Sequence, residues 1–193
     1  MMVLEVKNLH YKYPDGTVAL RGVNLRVKKG EKVYLLGPNG SGKSTLLLHF
    51  NGILKPQRGK VMVLGKDIGK WGDEVKKIVG LVFQNPDDQL FMPTVYEDVA
   101  FGPVNLKLDE AEVKRRVKSA LKMVGMEGFE DRSPHHLSYG EKKRIAIATV
   151  LAMDPKILVL DEPTLSLDPW IKRSFIGLLK ELGEERTVII SGH

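Results

Sequence analysis

The stretch GPNGSGKS at residues 37–44 restricts what this chain can fold into more than any other part of its sequence. It fits the pattern G-x-x-x-x-G-K-[ST] at every fixed position, with the apolar run EKVYLLG before it and TLLLHF after it. Glycines let a main chain turn its amide groups inward around an anion, and the start of a helix adds positive potential there. The sequence therefore predicts a phosphate-binding loop between a buried strand and a helix.

Two side chains of this loop extend the prediction to a nucleotide with its metal ion. Lys43 supplies a mobile cation for the β- and γ-phosphates, and Ser44 supplies a hydroxyl ligand for Mg²⁺. A plain glycine-rich turn is the structural alternative. The candidate nucleotide-binding residues of this region are Gly37, Pro38, Asn39, Gly40, Ser41, Gly42, Lys43, Ser44 and Thr45.

The segment ILVLDEP predicts the other half of the site. Its apolar residues indicate a buried strand that ends at Asp161, which we expect beside the phosphate loop in a parallel sheet. Asp161 can hold Mg²⁺ directly or through water, and Glu162 can face the γ-phosphate as a base or as the group that orients water. An apolar strand that ends in Asp-Glu is common and by itself does not indicate a nucleotide site. Together with the phosphate loop it does.

Alternating strand and helix patterns predict an α/β fold, a P-loop NTPase with a parallel core sheet, an N-terminal antiparallel β subdomain and an inserted helical subdomain. LEVKNLHYKY and ALRGVNLRV suit half-buried antiparallel strands joined by a PDG turn, whereas EKVYLLG suits a strand buried on both faces. Further strands are predicted at KVMVLG, GLVFQ, KILVLDEP and RTVIIS, and a helix closed by Gly183 at WIKRSFIGLLKELG.

We expect one domain over residues 1–193, in which residues 1–84 and 156–193 form the nucleotide-binding core. Residues 85–155 read as a mostly helical insertion. The helix predicted in the middle of this insertion begins with capping-box spacing, continues as an apolar stripe and ends at a glycine. These features lie at Asp109, Glu112, Val113, Val117, Leu121, Val124 and Gly125.

The stretch LSYGEKKR at residues 137–144 predicts the start of another helix. This start is either a purely structural N-terminal cap or a binding site for a ligand. Ser138 and Glu141 have capping-box spacing, which supports the structural explanation. Gly140 weakens the first helical turn but permits close approach of a ligand, and cations are disfavoured at a helix start unless an anion binds there. Otherwise the basic runs at residues 114–116 and 142–144 are expected on solvated helix faces.

Charge and composition narrow the classes of function. The formal net charge of +6 and the pI of about 9.4 suit an anionic partner such as a nucleotide, a nucleic acid or a lipid surface. Cysteine is absent, which excludes disulfides and thiolate metal sites and fits a cytoplasmic location. No apolar run approaches membrane-spanning length, and the first residues do not read as a secretion signal.

On these motifs the whole chain resembles an ATP-binding cassette (ABC) ATPase. The resemblance implies that ATP and Mg²⁺ are bound, and that two cassettes pair so that the phosphate loop of one and the signature helix of the other enclose each ATP. The family signature is L-S-G-G-Q, and this chain has LSYGE. Ser138 and Gly140, which contact the γ-phosphate in the family, are retained. Tyr139 replaces a glycine, and Glu141, carried over as a nucleotide-binding position, replaces a glutamine.

The resemblance implies roles for further positions. Tyr13 matches the aromatic residue that stacks on adenine, with a strand-end tyrosine packed on the core as the alternative. Gln84 matches the glutamine that senses Mg²⁺ and water, and His193 matches the histidine that contacts the γ-phosphate. SLD at residues 166–168 resembles the loop that crosses to the partner cassette. Family members normally continue with more helices, so we expect the C-terminal part of the usual domain to be missing after His193, where a terminal carboxylate would disturb the histidine.

The stretch FQNPDDQLF at residues 83–91 is similar to the corresponding region of energy-coupling factor transporter ATPases, which power uptake of vitamins and of cobalt or nickel. The same residues are ordinary turn formers. The resemblance implies an ATP-hydrolysing subunit that lies peripherally at the cytoplasmic face of the membrane. Its partners would be a second ABC ATPase subunit, identical or paralogous, and integral membrane transporter subunits.

A soluble ABC-type ATPase that acts on nucleic acid, in repair or translation, is the alternative function. The insertion before the LSYGE stretch is compact and has neither coiled-coil heptads nor a long basic arm. The sequence thus shows no element that would read a nucleic acid, and we expect no nucleic acid as a partner.

Overall fold

The computed structural model describes residues 1–164, 172–173, 177 and 186–192 of the 193-residue chain. The strands within these residues are β1 (Met2–Lys12), β2 (Val18–Lys28), β3 (Lys32–Leu36), β4 (Arg58–Val63), β5 (Lys66–Asp67), β6 (Val79–Val82), β7 (Ile157–Leu160) and β8 (Thr187–Gly192). The α-helices are α1 (Lys43–Phe50), α2 (Ile68–Trp71), α3 (Val95–Asn105), α4 (Glu110–Met123) and α5 (Tyr139–Leu151). Short 3₁₀ segments lie at Gly72–Lys77, Pro86–Asp88 and Pro134–His136. The helix predicted at WIKRSFIGLLKELG lies largely outside the described residues.

The chain divides into two compact units. The core unit contains Met1–Leu81, Lys156–Asp161 and β8, and it holds both sheets. The helical unit contains Val82–Pro155 and resumes at Glu162. Asp161 and Glu162, neighbours in sequence, therefore fall in different units.

The antiparallel sheet of the core unit has the strand order β2-β1-β4-β5. Leu4 pairs with Val27 and Tyr11 with Leu20 along the β1–β2 ladder. The strands are joined by a turn in which the Tyr13 amide donates to the Thr17 carbonyl at 2.9 Å. This confirms the predicted hairpin around PDG.

The second sheet has the order β3-β8-β7-β6, and β8 runs parallel to both β3 and β7. All four residues of β7 are buried, as its apolar sequence predicts. The prediction that EKVYLLG is buried on both faces is wrong, because Tyr34 is 61% exposed and Leu36 is 71% exposed. An apolar run cannot distinguish a strand covered on one face from a strand covered on two.

The helical unit is built around α3, α4 and α5, each of which contacts the other two. Thr94 and Glu97 form a capping box at the start of α3. Gly102 of α3 lies close to the residues at the end of α5, since a Cβ atom there would meet the Met153 side chain. Within the described ranges, no helix is both long enough and apolar enough to cross a membrane.

Helix α4 carries the predicted apolar stripe and one correction. The stripe residues are all buried, namely Val113, Val117, Leu121 and Val124. Asp109 caps the helix by accepting from the Glu112 amide at 2.9 Å, but the reciprocal half of the predicted capping box is not formed. The Glu112 carboxylate instead accepts from Arg115 and Arg116, each at 2.7 Å. These bonds, the one from Arg115 first, lower the pKa of Glu112 to about 2.

Candidate active site

The predicted phosphate loop connects β3 to α1 in the core unit. Gly40 and Gly42 have φ angles of +75° and +90°, in the left-handed region that favours glycine. At Gly42 a Cβ atom would also lie 2.6 Å from the carbonyl oxygen of Ala19. Both backbone conformation and space therefore require glycine at this point, directly before the helix begins at Lys43.

Lys43 lies over the loop that precedes it. Its ammonium group donates to the carbonyl oxygens of Gly37 at 2.7 Å and Pro38 at 3.1 Å. Carbonyl oxygens hold an ammonium group less strongly than anionic oxygens do. The same group can therefore exchange these contacts for phosphate oxygens, as the sequence predicts.

Tyr13 lies beside the first turn of α1. Its phenol oxygen is 3.0 Å from the hydroxyl oxygen of Thr45, and its ring meets the Tyr11 ring edge to face at 5.1 Å. His49, fully buried on the same helix, has Nδ1 2.7 Å from the Thr45 carbonyl oxygen and meets Tyr11 at 4.9 Å. Tyr13 is half-buried, so its ring packs against Tyr11 while part of the side chain stays accessible to a base.

Asp161 follows β7 directly and is 8% exposed. Its Oδ1 accepts a hydrogen bond from the Ser191 hydroxyl at 2.5 Å. Strand β8 lies between β3 and β7, so one strand separates Asp161 from the strand that precedes the phosphate loop. The register nevertheless pairs Leu35 with Ser191 and Leu160 with Ile190, which places Asp161 at the same edge of the sheet as the loop.

The donor set of the core unit fits a magnesium ion. Asp161 supplies a buried carboxylate and Ser44 a hydroxyl, which are oxygen ligands of the kind that Mg²⁺ prefers. In the described part of the chain no three His, Asp or Glu side chains cluster as a metal cage. Mg²⁺ commonly binds through one or two protein ligands together with substrate phosphates and waters, so a sparse donor set suits it.

Gln84 and Glu162 meet in the helical unit. The Gln84 side-chain amide donates to Oε2 of Glu162 at 3.0 Å. Glu162 is 6% exposed and has a φ angle of +42°, which is uncommon for a residue with a side chain. Two of the predicted site residues, Gln84 and Glu162, are thus in direct contact.

The segment after Gln84 is fixed by turn chemistry. Asn85 accepts from the Asp87 amide at 3.3 Å at the start of a 3₁₀ turn. The Gln89 side chain accepts from the Phe83 amide at 3.1 Å and donates to the Ala146 carbonyl of α5 at 2.7 Å. Much of FQNPDDQLF therefore serves to hold the Gln84 segment against α5.

The start of α5 forms the predicted capping box. The Ser138 hydroxyl donates to Oε2 of Glu141 at 2.7 Å, and the Glu141 amide lies 3.4 Å from the Ser138 hydroxyl oxygen. The Ser138 amide also donates to Oε2 of Glu141 at 2.8 Å, and the bonds from the Ser138 side chain and from its amide, in that order of size, lower the pKa of the Glu141 carboxyl. The Glu141 charge is thus directed at its own helix start. Gly140 is half-buried within the first turn of α5.

Lys143 contradicts the prediction of a solvated helix face at residues 142–144. It is 4% exposed, and its ammonium group donates to the carbonyl oxygen of Glu162 at 2.9 Å. Ala146 and Ile147, which follow by three and four residues, are also buried. Residues at that spacing share a helix face, so this spacing was the signal that Lys143 points inward.

Two predicted elements cannot be placed. His193 and the SLD stretch at residues 166–168 lie outside the described residues. The remaining candidates are distributed over both units, with the phosphate loop, Tyr13 and Asp161 in the core unit. Gln84, Glu162 and the start of α5 belong to the helical unit.

Comparison with known proteins gives a family match and close relatives. The profile of the family described as "ABC transporter" matches residues 20–165. An energy-coupling factor transporter ATP-binding protein, EcfA, from Methanocaldococcus jannaschii is 60% identical, and the alignment covers 100% of this chain and 71% of the relative. A putative ABC transporter ATP-binding protein from Geobacter sulfurreducens is 54% identical over 99% of this chain and 76% of its own length.

Solved structures agree in fold. The structure of cbiO1 from Clostridium perfringens, described as part of the ABC transporter complex cbiONQ, is 48% identical with a TM-score of 0.86, covering 100% of this chain and 78% of cbiO1. A dimeric ATP-binding cassette in a post-hydrolysis state, bound to ADP and Pi, is 34% identical with a TM-score of 0.88, covering 98% of this chain and 88% of that one. These similarities confirm the predicted P-loop NTPase fold.

Proposed function

The chain belongs to the ABC transporter family, and on that premise we propose that it energises a membrane importer of a micronutrient, either a metal ion such as cobalt or nickel or a vitamin. As a family member it is an ATPase that couples ATP hydrolysis to transport. The relatives named energy-coupling factor ATP-binding proteins and the solved cbiO1 support the importer class. The FQNPDDQLF stretch supports the same class.

The core unit supplies the nucleotide-binding half of the proposed mechanism. The phosphates of ATP would lie against the amides of residues 37–42, with the Lys43 ammonium group on the β- and γ-phosphates. Ser44 and Asp161 would hold Mg²⁺, with Gln84 as a further ligand, and the bound ion would neutralise charge on the β- and γ-phosphate oxygens. Tyr13 would stack on the adenine ring.

The hydrolytic half rests on Glu162. Its carboxylate would orient the attacking water and take up its proton, and His193 would contact the γ-phosphate. The single observation that supports hydrolysis at this residue is the 3.0 Å bond from the Gln84 amide, which fixes the carboxylate of a strained, buried residue directly after Asp161.

The paired state would complete the site. The start of α5, with Ser138, Gly140 and Glu141, would meet the ATP that is bound to a second cassette, identical or paralogous. Closure would exclude water and set the electrostatic environment of the γ-phosphate. The helical insertion, residues 85–155, would pass this movement to integral membrane subunits, so that the protein lies peripherally at the cytoplasmic face of the membrane.

The experiment that tests this function is reconstitution in lipid vesicles. The chain would be assembled with its partner cassette and the membrane subunits that co-purify with it, and uptake of radioactive Co²⁺, Ni²⁺ and labelled vitamins would be followed with and without ATP. We expect ATP-dependent accumulation of one of these solutes, and none with Lys43→Ala. Failure to accumulate any of them, combined with hydrolysis that nucleic acid stimulates in a steeply salt-dependent manner, would contradict the proposal.

A further inference from the structure

Lys143 is a buried cation to which the mechanism described above gives no role. Its side chain is only 4% exposed within the helical unit. Lysine is almost never fully buried unless its charge is compensated, because an ammonium group loses its hydration there. The compensation includes the Glu162 carbonyl oxygen at 2.9 Å and the Tyr139 ring, whose centre lies 5.4 Å from the ammonium nitrogen.

Both the main chain and the side chain of Glu162 are held by hydrogen bonds. The backbone carbonyl accepts from Lys143 at 2.9 Å, and the carboxylate accepts from Gln84 at 3.0 Å. Between these contacts the residue has a φ angle of +42°, a conformation that persists only where the surroundings fix it. The contact with the main chain is the one that bears on the backbone conformation of Glu162 and hence on the direction in which its side chain leaves the backbone.

We infer that Lys143 is a positioning residue of ATP hydrolysis, which holds the Glu162 backbone so that the carboxylate points at the attacking water. This inference rests on the proposed role of Glu162. Lys143 lies five residues after Ser138 on the same helix, and the Tyr139 hydroxyl of that helix donates to the Gln84 carbonyl at 3.4 Å. The helix start that meets the neighbouring nucleotide therefore also holds the hydrolytic carboxylate of its own chain.

The first test compares turnover with nucleotide affinity in the full chain with its partner cassette. Lys143→Met keeps the length of the side chain but removes the donor. We expect kcat to fall about 10- to 100-fold, the range for a misplaced reacting group, while the Kd of a fluorescent ATP analogue changes less than about threefold. The matched control is Lys114→Met, which removes a cation from an exposed ion pair on α4 and is expected to leave both values unchanged.

The second test asks whether Lys143 acts through Glu162. Single-turnover hydrolysis is measured for Lys143→Met, Glu162→Gln and the double variant. Because residues that act as one unit are not additive, the double variant is expected to be about as slow as Glu162→Gln alone. A rate that falls by the product of the two single effects, or a Lys143→Met variant that changes only KM, would overturn the inference.

The outcomes separate the two proposals. Unchanged turnover in Glu162→Gln would remove the proposed role of Glu162, and the inference about Lys143 with it. Slow Glu162→Gln together with normal Lys143→Met would overturn the inference alone. If circular dichroism shows that Lys143→Met does not fold, Lys143→Leu, which also lacks a donor, takes its place with the same expected fall in kcat. Failure of both to fold would assign Lys143 to stability only and so reject the inference.

Discussion

The phenol oxygen of Tyr13 lies 3.0 Å from the hydroxyl oxygen of Thr45, and this hydrogen bond joins the turn after β1 to the first turn of α1. The hydroxyl group thus attaches Tyr13 to the helix that follows the phosphate loop. The ring is the part proposed to stack on adenine. Because the two parts can be removed separately, their contributions can be distinguished.

Tyr13→Phe and Tyr13→Ala separate base contact from core packing. The phenylalanine variant loses one hydrogen bond, so we expect about 1 kcal/mol less stability and little change in ATP affinity. The alanine variant loses the ring, and stacking of about 1–3 kcal/mol per base predicts ATP binding at least fivefold weaker. Equilibrium binding and denaturant unfolding measure both quantities. Weakened stability without weakened binding in the alanine variant would instead identify Tyr13 as a core residue.

Gly42→Ala tests the close approach of the phosphate loop to β2. The substitution adds a side chain at a φ angle of +90° and places Cβ 2.6 Å from the Ala19 carbonyl oxygen. We expect a loss of about 2 kcal/mol in stability and ATP binding weakened at least about tenfold. Gly65→Ala is the control, since Gly65 has a φ angle of +78° with nothing within 4 Å. If the two variants lose the same stability and both bind ATP normally, the contact at Ala19 does not constrain the loop.

Ser138→Asn tests whether the start of α5 only caps itself. Asparagine caps a helix about as well as serine, whereas alanine costs about 1 kcal/mol. We therefore expect Ser138→Asn to keep the thermal stability of the wild type but to lose about tenfold or more in ATP turnover, since the larger side chain displaces a hydroxyl donor from the γ-phosphate. Thr94→Asn, at the capping box of α3, is the control and is expected to retain turnover. Normal turnover in Ser138→Asn would leave the cap as the function of this serine.

His49 predicts a pH dependence of stability in the core unit. Burial lowers the pKa of its imidazole below the ordinary value of 6.5. As the pH falls below about 6.5, the unfolded chain takes up a proton that the folded chain does not, so this contribution to stability is present above that pH and is lost below it. His49→Gln removes the titration. Its loss of unfolding free energy between pH 7.5 and 5.5 is expected to be smaller than that of the wild type.

The control for this pH dependence is the exposed His136. His136→Gln removes an exposed imidazole and leaves His49 in place, so it controls for the general effect of replacing a histidine. Urea unfolding at the two pH values measures the difference. Identical pH dependence in all three proteins would show that the folded state accommodates the charged form of His49.

Local patterns predicted the elements of this fold well. The turn between β1 and β2, the Ser138–Glu141 cap and the buried stripe of α4 each depend on residues close together in sequence. The phosphate loop is another feature that local sequence predicts, because the positive φ angles at Gly40 and Gly42 favour glycine at those two positions.

Properties that depend on distant parts of the chain were predicted less well. The insertion of β8 between β3 and β7 is a long-range pairing that no local pattern encodes. The exposure of Tyr34 depends on what covers one face of the sheet. The Glu112 carboxylate does not accept from the Asp109 amide, because the guanidinium groups of Arg115 and Arg116 donate to it instead. The burial of Lys143 depends on what packs against its face of α5, whereas its residue type favours solvent.

The left-handed backbone of Glu162 implies that a substitution which stabilises the fold at this position would also remove the carboxylate proposed for catalysis. Glycine adopts such a φ angle without strain, and it retains the carbonyl oxygen to which Lys143 donates. Glu162→Gly is therefore expected to relieve local strain while it ends hydrolysis. A laboratory selection that rewards only thermal tolerance would tend to discard this carboxylate, so any stabilised version of the protein must be screened for turnover at the same time.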